Sequence, residues 1–179
     1  MDKIEFQQVV PDIFSPCADS LKSDIWCKDV AFEKGGLYLV EADSGKGKST
    51  FCSYVMGYRH DYSGKVMFDD IAASSFKVAD WVELRKHHVA YLFQELRLFS
   101  ELTAYENVEI KNKLTGVKTR RQIVEWFDAL GIGDKLDAKV GHMSFGQQQR
   151  VAMMRALAQP FDFILADEPI SHLDDANSD

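Results

Sequence analysis

Two stretches of this sequence bring together residue types suited to phosphate and metal chemistry. The first is Ala42-Asp43-Ser44-Gly45-Lys46-Gly47-Lys48-Ser49-Thr50, where glycines, lysines and hydroxyls follow the apolar run Leu37-Tyr38-Leu39-Val40. Gly45 and Gly47 leave room for the backbone to wrap round phosphate oxygens, with N–H groups pointing inward and the positive end of a following helix behind them. In such a loop Lys48 reaches the β- and γ-phosphates and the Ser49 hydroxyl ligates Mg²⁺. The usual pattern is Gly-x-x-x-x-Gly-Lys-Ser/Thr, and Ala42 stands at its first glycine. The second stretch is Asp167-Glu168, which follows the apolar run Phe163-Ile164-Leu165-Ala166 and precedes Pro169. At a strand end Asp167 is placed to hold Mg²⁺ through its water shell, and Glu168 to polarise a water for attack on a γ-phosphate. Adjacent carboxylates also occur in solvated turns; in a chain that already has a phosphate loop, the catalytic reading is favoured.

The elements that must position these residues follow from periodicity. Short strands are expected at 4–10, 26–32, 37–40, 65–68, 89–93 and 161–166, and helices at 48–56, 78–84 and 144–158. The continuous apolar character of 37–40 suits a parallel strand covered on both faces. Gln94 closes the 89–93 strand at the carboxyl end, where α/β proteins bind ligands, so it is a candidate for the metal or the attacking water. Its alternative is a polar residue that merely ends a strand. Between 103 and 130 the apolar spacing turns helical, a helical layer inserted into the α/β body. Ser144 and Gln147 have capping-box spacing, with Gly146 between them; that is a structural feature, although a capped helix start is also an anion site. Phe14, in a Pro-containing loop, either stacks on an adenine base or covers the edge of the core.

Composition bounds the answer. The 179 residues are 46% hydrophobic, enough for one globular domain with an ordinary core. A formal net charge of −7 argues against a nucleic-acid surface, which needs clustered Lys and Arg. No apolar run approaches the roughly 20 residues that span a bilayer, and residues 1–5 lack the segments of a signal peptide, so a cytoplasmic chain is expected. Cys17, Cys27 and Cys52 fit no metal or redox spacing and are expected as free thiols; His60, His87, His88, His142 and His172 make no ligand cluster.

In combination these motifs resemble the nucleotide-binding subunit of ATP-binding cassette (ABC) transporters over nearly the whole chain. Residues 42–50 match the Walker A loop, Gln94 the Q-loop, Met143-Ser144-Phe145-Gly146-Gln147 the signature Leu-Ser-Gly-Gly-Gln, and residues 163–168 the Walker B strand with its catalytic Glu. Ser171-His172-Leu173-Asp174 looks like the D-loop, and Phe145 replaces the first signature glycine. The resemblance implies an α/β P-loop NTPase core with an antiparallel β subdomain and a helical subdomain at about 95–145, within one domain spanning 1–179. It implies ATP and Mg²⁺ as cofactors. Ser44, Gly45, Lys46, Gly47, Lys48, Ser49, Thr50 and Phe14 would hold the nucleotide, Ser49, Gln94 and Asp167 the metal, and Glu168 with Gln94 would act in catalysis. Two such subunits close head to tail, so Ser144, Gly146 and Gln147 would contact the partner's ATP, while the helical layer grips transmembrane permease subunits on the cytoplasmic face of the inner membrane. Residues 91–94, 106–108 and 166–169 look most like the lipoprotein-releasing, cell-division and macrolide-exporter branch.

Family members continue beyond the D-loop to a strand carrying a switch histidine, so the resemblance also implies a cassette lacking its C-terminal part and poor at hydrolysis. Three other readings share part of the pattern. An ATPase of DNA repair or chromosome organisation would interrupt the cassette with a long coiled coil, for which the roughly 50 residues between Gln94 and Ser144 leave little space. A small-molecule kinase would need no element at Ser144–Gln147, and a non-catalytic remnant would bind nucleotide or a partner only.

Overall fold

A computed structural model describes residues 1–43 and 45–167. The chain divides into two compact units, Met1–Arg85 and Lys86–Asp179.

The first unit is built on an antiparallel sheet of order β2-β1-β3-β4: β1 Lys3–Pro11, β2 Asp29–Glu33, β3 Tyr62–Phe68 and β4 Ile71–Ala72. Alternation places Ile4 and Phe6 of β1 inward, but the next buried residues are Val9 and Pro11, an odd step. A bulge explains it: the register against β3 shifts between Gln7 and Val10, and Gln8 takes φ 50°. The extra residue resets which face points to the core. Opposite the bulge, Gly64 has φ 84°, and a Cβ there would lie 2.3 Å from the Gln8 carbonyl oxygen. Only glycine fits that approach.

The core of this unit is aromatic. Phe6 stacks on Phe51 at 4.8 Å and meets Trp26 at 6.0 Å and Phe32 at 6.3 Å. Phe51 comes from helix α1, Lys48–Val55, which also buries Cys52, Tyr54 and Val55. Packing α1 on β1 thus fixes where the loop before it must run. Helix α2, Val78–Glu83, closes the unit through Trp81, which Phe68 and Phe76 meet at 5.8 and 5.0 Å.

One expected strand does not form. Residues 37–40 adopt no regular structure; Leu37 is fully exposed and Leu39 is 83% exposed. Apolar composition records a preference for burial, but a strand exists only where neighbours take its N–H and C=O groups. Among the described residues the only parallel ladder is that of β5 and β6, described below, and no strand pairs with 37–40. Tyr38 turns back instead: its ring meets Phe32 edge-on at 5.1 Å and its hydroxyl accepts the Glu33 N–H at 2.9 Å. The strand expected from residue 26 starts only at Asp29, because Cys27 sits at φ 60°.

In the second unit β5, Val89–Leu92, pairs in parallel with β6, Phe163–Ala166, in the register Val89↔Phe163 to Leu92↔Ala166. Between them lie α3, Ala104–Asn112, α4, Arg120–Ala129, and α5, Phe145–Leu157. Each starts with a capping box: Thr103 with Glu106, Thr119 with Gln122, and Ser144 with Gln147. The helical run expected over 103–130 is therefore two helices, separated where the Asn112 side chain exchanges 2.9 Å hydrogen bonds with the Lys118 backbone. Val108, Ile123, Phe127, Val151 and Met154 close the core beneath them.

Candidate functional site

In the first unit the stretch expected as a phosphate loop leads into the start of α1. Gly45 and Gly47 hold φ 76° and 99°, and Gly47 is the N-cap of α1 without any side-chain cap. The opening N–H groups of a helix have no partners within it. A cap that brings no side chain leaves them for an anion, and the helix end adds positive potential. The Lys48 ammonium folds back onto its own loop, donating to the Ala42 carbonyl at 2.6 Å, while Lys46 N–H donates to the Asp43 carbonyl at 3.2 Å. Ser49 is exposed, and its carbonyl accepts from the Ser53 hydroxyl at 2.7 Å. Thr50 Oγ1 accepts from Arg59 at 3.4 Å. Arg59 is held charged above its ordinary value by its hydrogen bond to Asp61. Ser44 lies outside the described residues.

Two aromatic rings roof the loop. A Cβ on Gly47 would lie 3.2 Å from Phe14 Cε2 and 3.1 Å from Trp26 Nε1, a tight fit that the two rings would have to yield to, and the φ of 99° favours glycine there in its own right. Phe14, in a 3-10 helix spanning Asp12–Ser20, thus reaches the loop its sequence position only suggested. Trp26 was not among the expected site residues; sequence placed it in a strand, and nothing local marks it as a wall of the loop. Trp26, Gly47, Lys48 and the exposed Leu39 border one cavity of about 900 Å³. Its chemistry, glycine backbone and lysine on one side and rings on the other, suits a phosphorylated base.

In the second unit the parallel register brings Gln94 and Asp167 to the same carboxyl end. Asp167 is only 6% exposed; its N–H donates to the Leu92 carbonyl, and the Tyr91 hydroxyl donates to its carboxylate, both at 3.1 Å. Tyr91 is a second residue that sequence reading missed, since its role depends on a partner 76 positions away. Gln94 is half-buried in a turn closed by the Leu96 N–H on the Phe93 carbonyl at 3.1 Å. Glu168 and the stretch expected as a D-loop, 171–174, lie outside the described residues. An inward carboxylate braced by a phenol beside a strand-end amide is a donor set suited to Mg²⁺ and its water shell.

Ser144 starts α5: its hydroxyl accepts the Gln147 N–H at 3.3 Å, and its own N–H donates to the Gln147 side chain at 3.0 Å. A Cβ on Gly146 would touch nothing within 4 Å, so that face of the helix start is open. Cys17, Cys27 and Cys52 are free thiols. No helix among the described residues is long and apolar enough to cross a membrane.

Comparison with known proteins places this geometry. The family model "ABC transporter" matches residues 29–171, and the chain belongs to that family. YclH of Bacillus subtilis, an ABC transporter ATP-binding protein, is 32% identical over 182 residues, covering 99% of this chain and 77% of its own. YtrE of the same organism is 33% identical, covering 82% of this chain and 66% of its own. The ABC transporter ATP-binding protein Rv2564 of Mycobacterium tuberculosis is 37% identical over 143 residues, 78% of this chain. The chain spans only 43% of the length of that relative. Among solved structures, the dimeric bacterial ABC transporter cassette MJ0796 superposes with a TM-score of 0.70 at 25% identity, over 96% of this chain and 76% of that one. A post-hydrolysis state of MJ0796 bound to ADP and Pi gives the same score at 26% identity, over 97% of this chain and 77% of that one. The fold is that of the ABC ATPase cassette.

Proposed function

We propose that this chain binds and hydrolyses ATP as the nucleotide-binding subunit of an ABC transporter, working head to tail with a second such subunit beneath transmembrane permease subunits. The observation that carries the reading is the start of α1: a left-handed glycine cap, Lys48 folded onto its loop, and two rings over Gly47. Ser44, Gly45, Lys46, Gly47, Lys48, Ser49 and Thr50 cradle the phosphates, and Phe14 packs on the adenine. For Mg²⁺ the motif set supplies Ser49 from the first unit and Gln94 and Asp167 from the second as the residues that would hold it, and the bound ion would neutralise charge on the phosphates. Glu168 orients the attacking water and takes its proton, and Ser144, Gly146 and Gln147 meet the nucleotide of the partner subunit. The whole chain acts as one ATP-binding domain with a helical subdomain at about 95–145, on the cytoplasmic face of the inner membrane. Within the family, residues 91–94, 106–108 and 166–169 support a place near the lipoprotein-releasing, cell-division and macrolide-exporter branch. Helices of 9 and 10 residues between Gln94 and Ser144 speak against a coiled-coil ATPase of DNA repair.

The test is a thermal melt with and without Mg-ATP. Ligand at a hundred times its dissociation constant stabilises a folded site by about 2.7 kcal/mol. The parent chain should shift upward and Lys48→Ala should not; equal shifts would remove the phosphate loop from the binding site.

A further inference from the structure

The segment that follows Gln94 has an unusual backbone. Leu96 and Arg97 are consecutive non-glycine residues in the left-handed region, at φ 57° and 50°. The Arg97 N–H donates back to the Glu95 carbonyl at 2.5 Å, a tight three-residue turn centred on Leu96. Such conformations persist only where the surroundings over-determine them. Leu96 is buried, and the Arg97 guanidinium lies 4.0 Å over the Phe93 ring. The largest constraint comes from elsewhere in the chain: Arg155, in the last turn of α5, donates to the Leu96 carbonyl at 2.5 Å and to the Arg97 carbonyl at 2.7 Å. A planar guanidinium matches two adjacent acceptors as one rigid fork. The same helix begins, about 16 Å away at 1.5 Å per residue, with Ser144 and Gln147. Burial pulls the Arg155 guanidinium below its ordinary value, and burial followed by the Arg155 charge does the same to Lys111 on α3. A half-buried cation spent on backbone carbonyls is a costly way to fasten a loop, which points to a geometry that matters.

We infer that Arg155 is a positioning residue: its bidentate grip on the Leu96 and Arg97 carbonyls locks the Gln94 turn to the helix that begins at Ser144, so that the two elements move as one body. For ATP turnover the inference rests on the function proposed above. Contact at the Ser144 end would then be felt at Gln94 through a single rigid rod.

Arg155→Lys keeps the charge but cannot span both carbonyls, and Arg155→Met keeps length without donors. Hydrogen exchange at the Leu96 and Arg97 amides should speed up at least tenfold in either variant, while Ile123 and Val151 amides in the core keep their parent rates, showing that the fold survives. Mg-ATP turnover should fall about tenfold in kcat with KM changed less than about twofold, and adding Gln94→Ala to Arg155→Lys should cost less than about twofold more. Unchanged exchange at Leu96 and Arg97 in a folded variant would overturn the clamp. Accelerated exchange with parental kcat, or losses that multiply between the two sites, would overturn the coupling to Gln94. A parent chain without turnover would remove the proposed function, and the exchange measurement would still decide for or against the clamp.

Discussion

Burial sets the proton affinity of several side chains in this protein. Tyr54 shows it. Burial pushes its phenol up to about 12, and the hydroxyl donates to the Asp61 carbonyl at 2.8 Å. The folded value lies above the ordinary one near 10, so the folded chain holds this proton more tightly than the unfolded chain. The stability that follows is intact below about pH 10 and is lost as pH rises from there to about 12. Denaturant midpoints taken from about pH 9 to about pH 12 should fall steeply in the parent and less so in Tyr54→Phe. An unchanged slope would assign the transition to Tyr62, whose ring lies 4.6 Å away and whose phenol burial also pushes up. At this scale the sequence was legible where chemistry is local. The left-handed turns at Gly45 and Gly47 and the helix that starts at Lys48 are read directly, because such a loop is made by consecutive residues. Trp26, Tyr91 and Arg155 were not legible, since each acts on a distant partner; for Arg155 those partners are carbonyls 58 and 59 positions back, and a carbonyl carries no sequence signal.

At the scale of elements, the helix starts of the second unit form a controlled set. Thr103, Thr119 and Ser144 each accept one N–H, from Glu106 at 3.1 Å, Gln122 at 3.3 Å and Gln147 at 3.3 Å. Replacing any of them by Ala should cost about 1 kcal/mol of stability, readable in urea melts. If Ser144 also meets nucleotide, only Ser144→Ala should lower Mg-ATP turnover beyond what that loss explains. A similar fall in all three variants would reduce Ser144 to a cap. Element types were mostly readable from period, because a buried face imposes its spacing on the chain: β1, α1, α5, β5 and β6 fall where apolar spacing puts them. The exception, 37–40, shows the limit of that logic. Leu37, Tyr38, Leu39 and Val40 have the composition of a buried strand, yet composition cannot supply the neighbouring ladder, and Leu39 stays 83% exposed. The bulge at Gln8 was hidden for a related reason, since it shows only when β1 is set against Gly64.

Across the whole molecule, two units divide the expected machinery: the phosphate loop lies in Met1–Arg85, and Gln94, Asp167 and the Ser144 cap in Lys86–Asp179. The resemblance of the full motif set was legible because its members are short and ordered along the chain; their division between units was not, because nothing in spacing marks where packing separates. The pairing of β5 with β6 has a further consequence, in time rather than in space. Tyr91 and Asp167 meet across 76 positions of chain, and closing so long a loop by diffusion is slow and entropically unfavourable. Helices α3, α4 and α5 form from local contacts and, once packed, act as a splint that carries the two strands toward each other. The carboxyl ends bearing Gln94 and Asp167 should therefore be among the last parts of this unit to assemble. Pulse-labelled refolding should protect α5 amides before those of β5, and the reverse order would refute the splint. A cell making this protein would then hold, for a moment on every chain, a finished helical layer whose two strands are not yet joined, so that the contact of Tyr91 with Asp167 is delayed until the scaffold around it is sound.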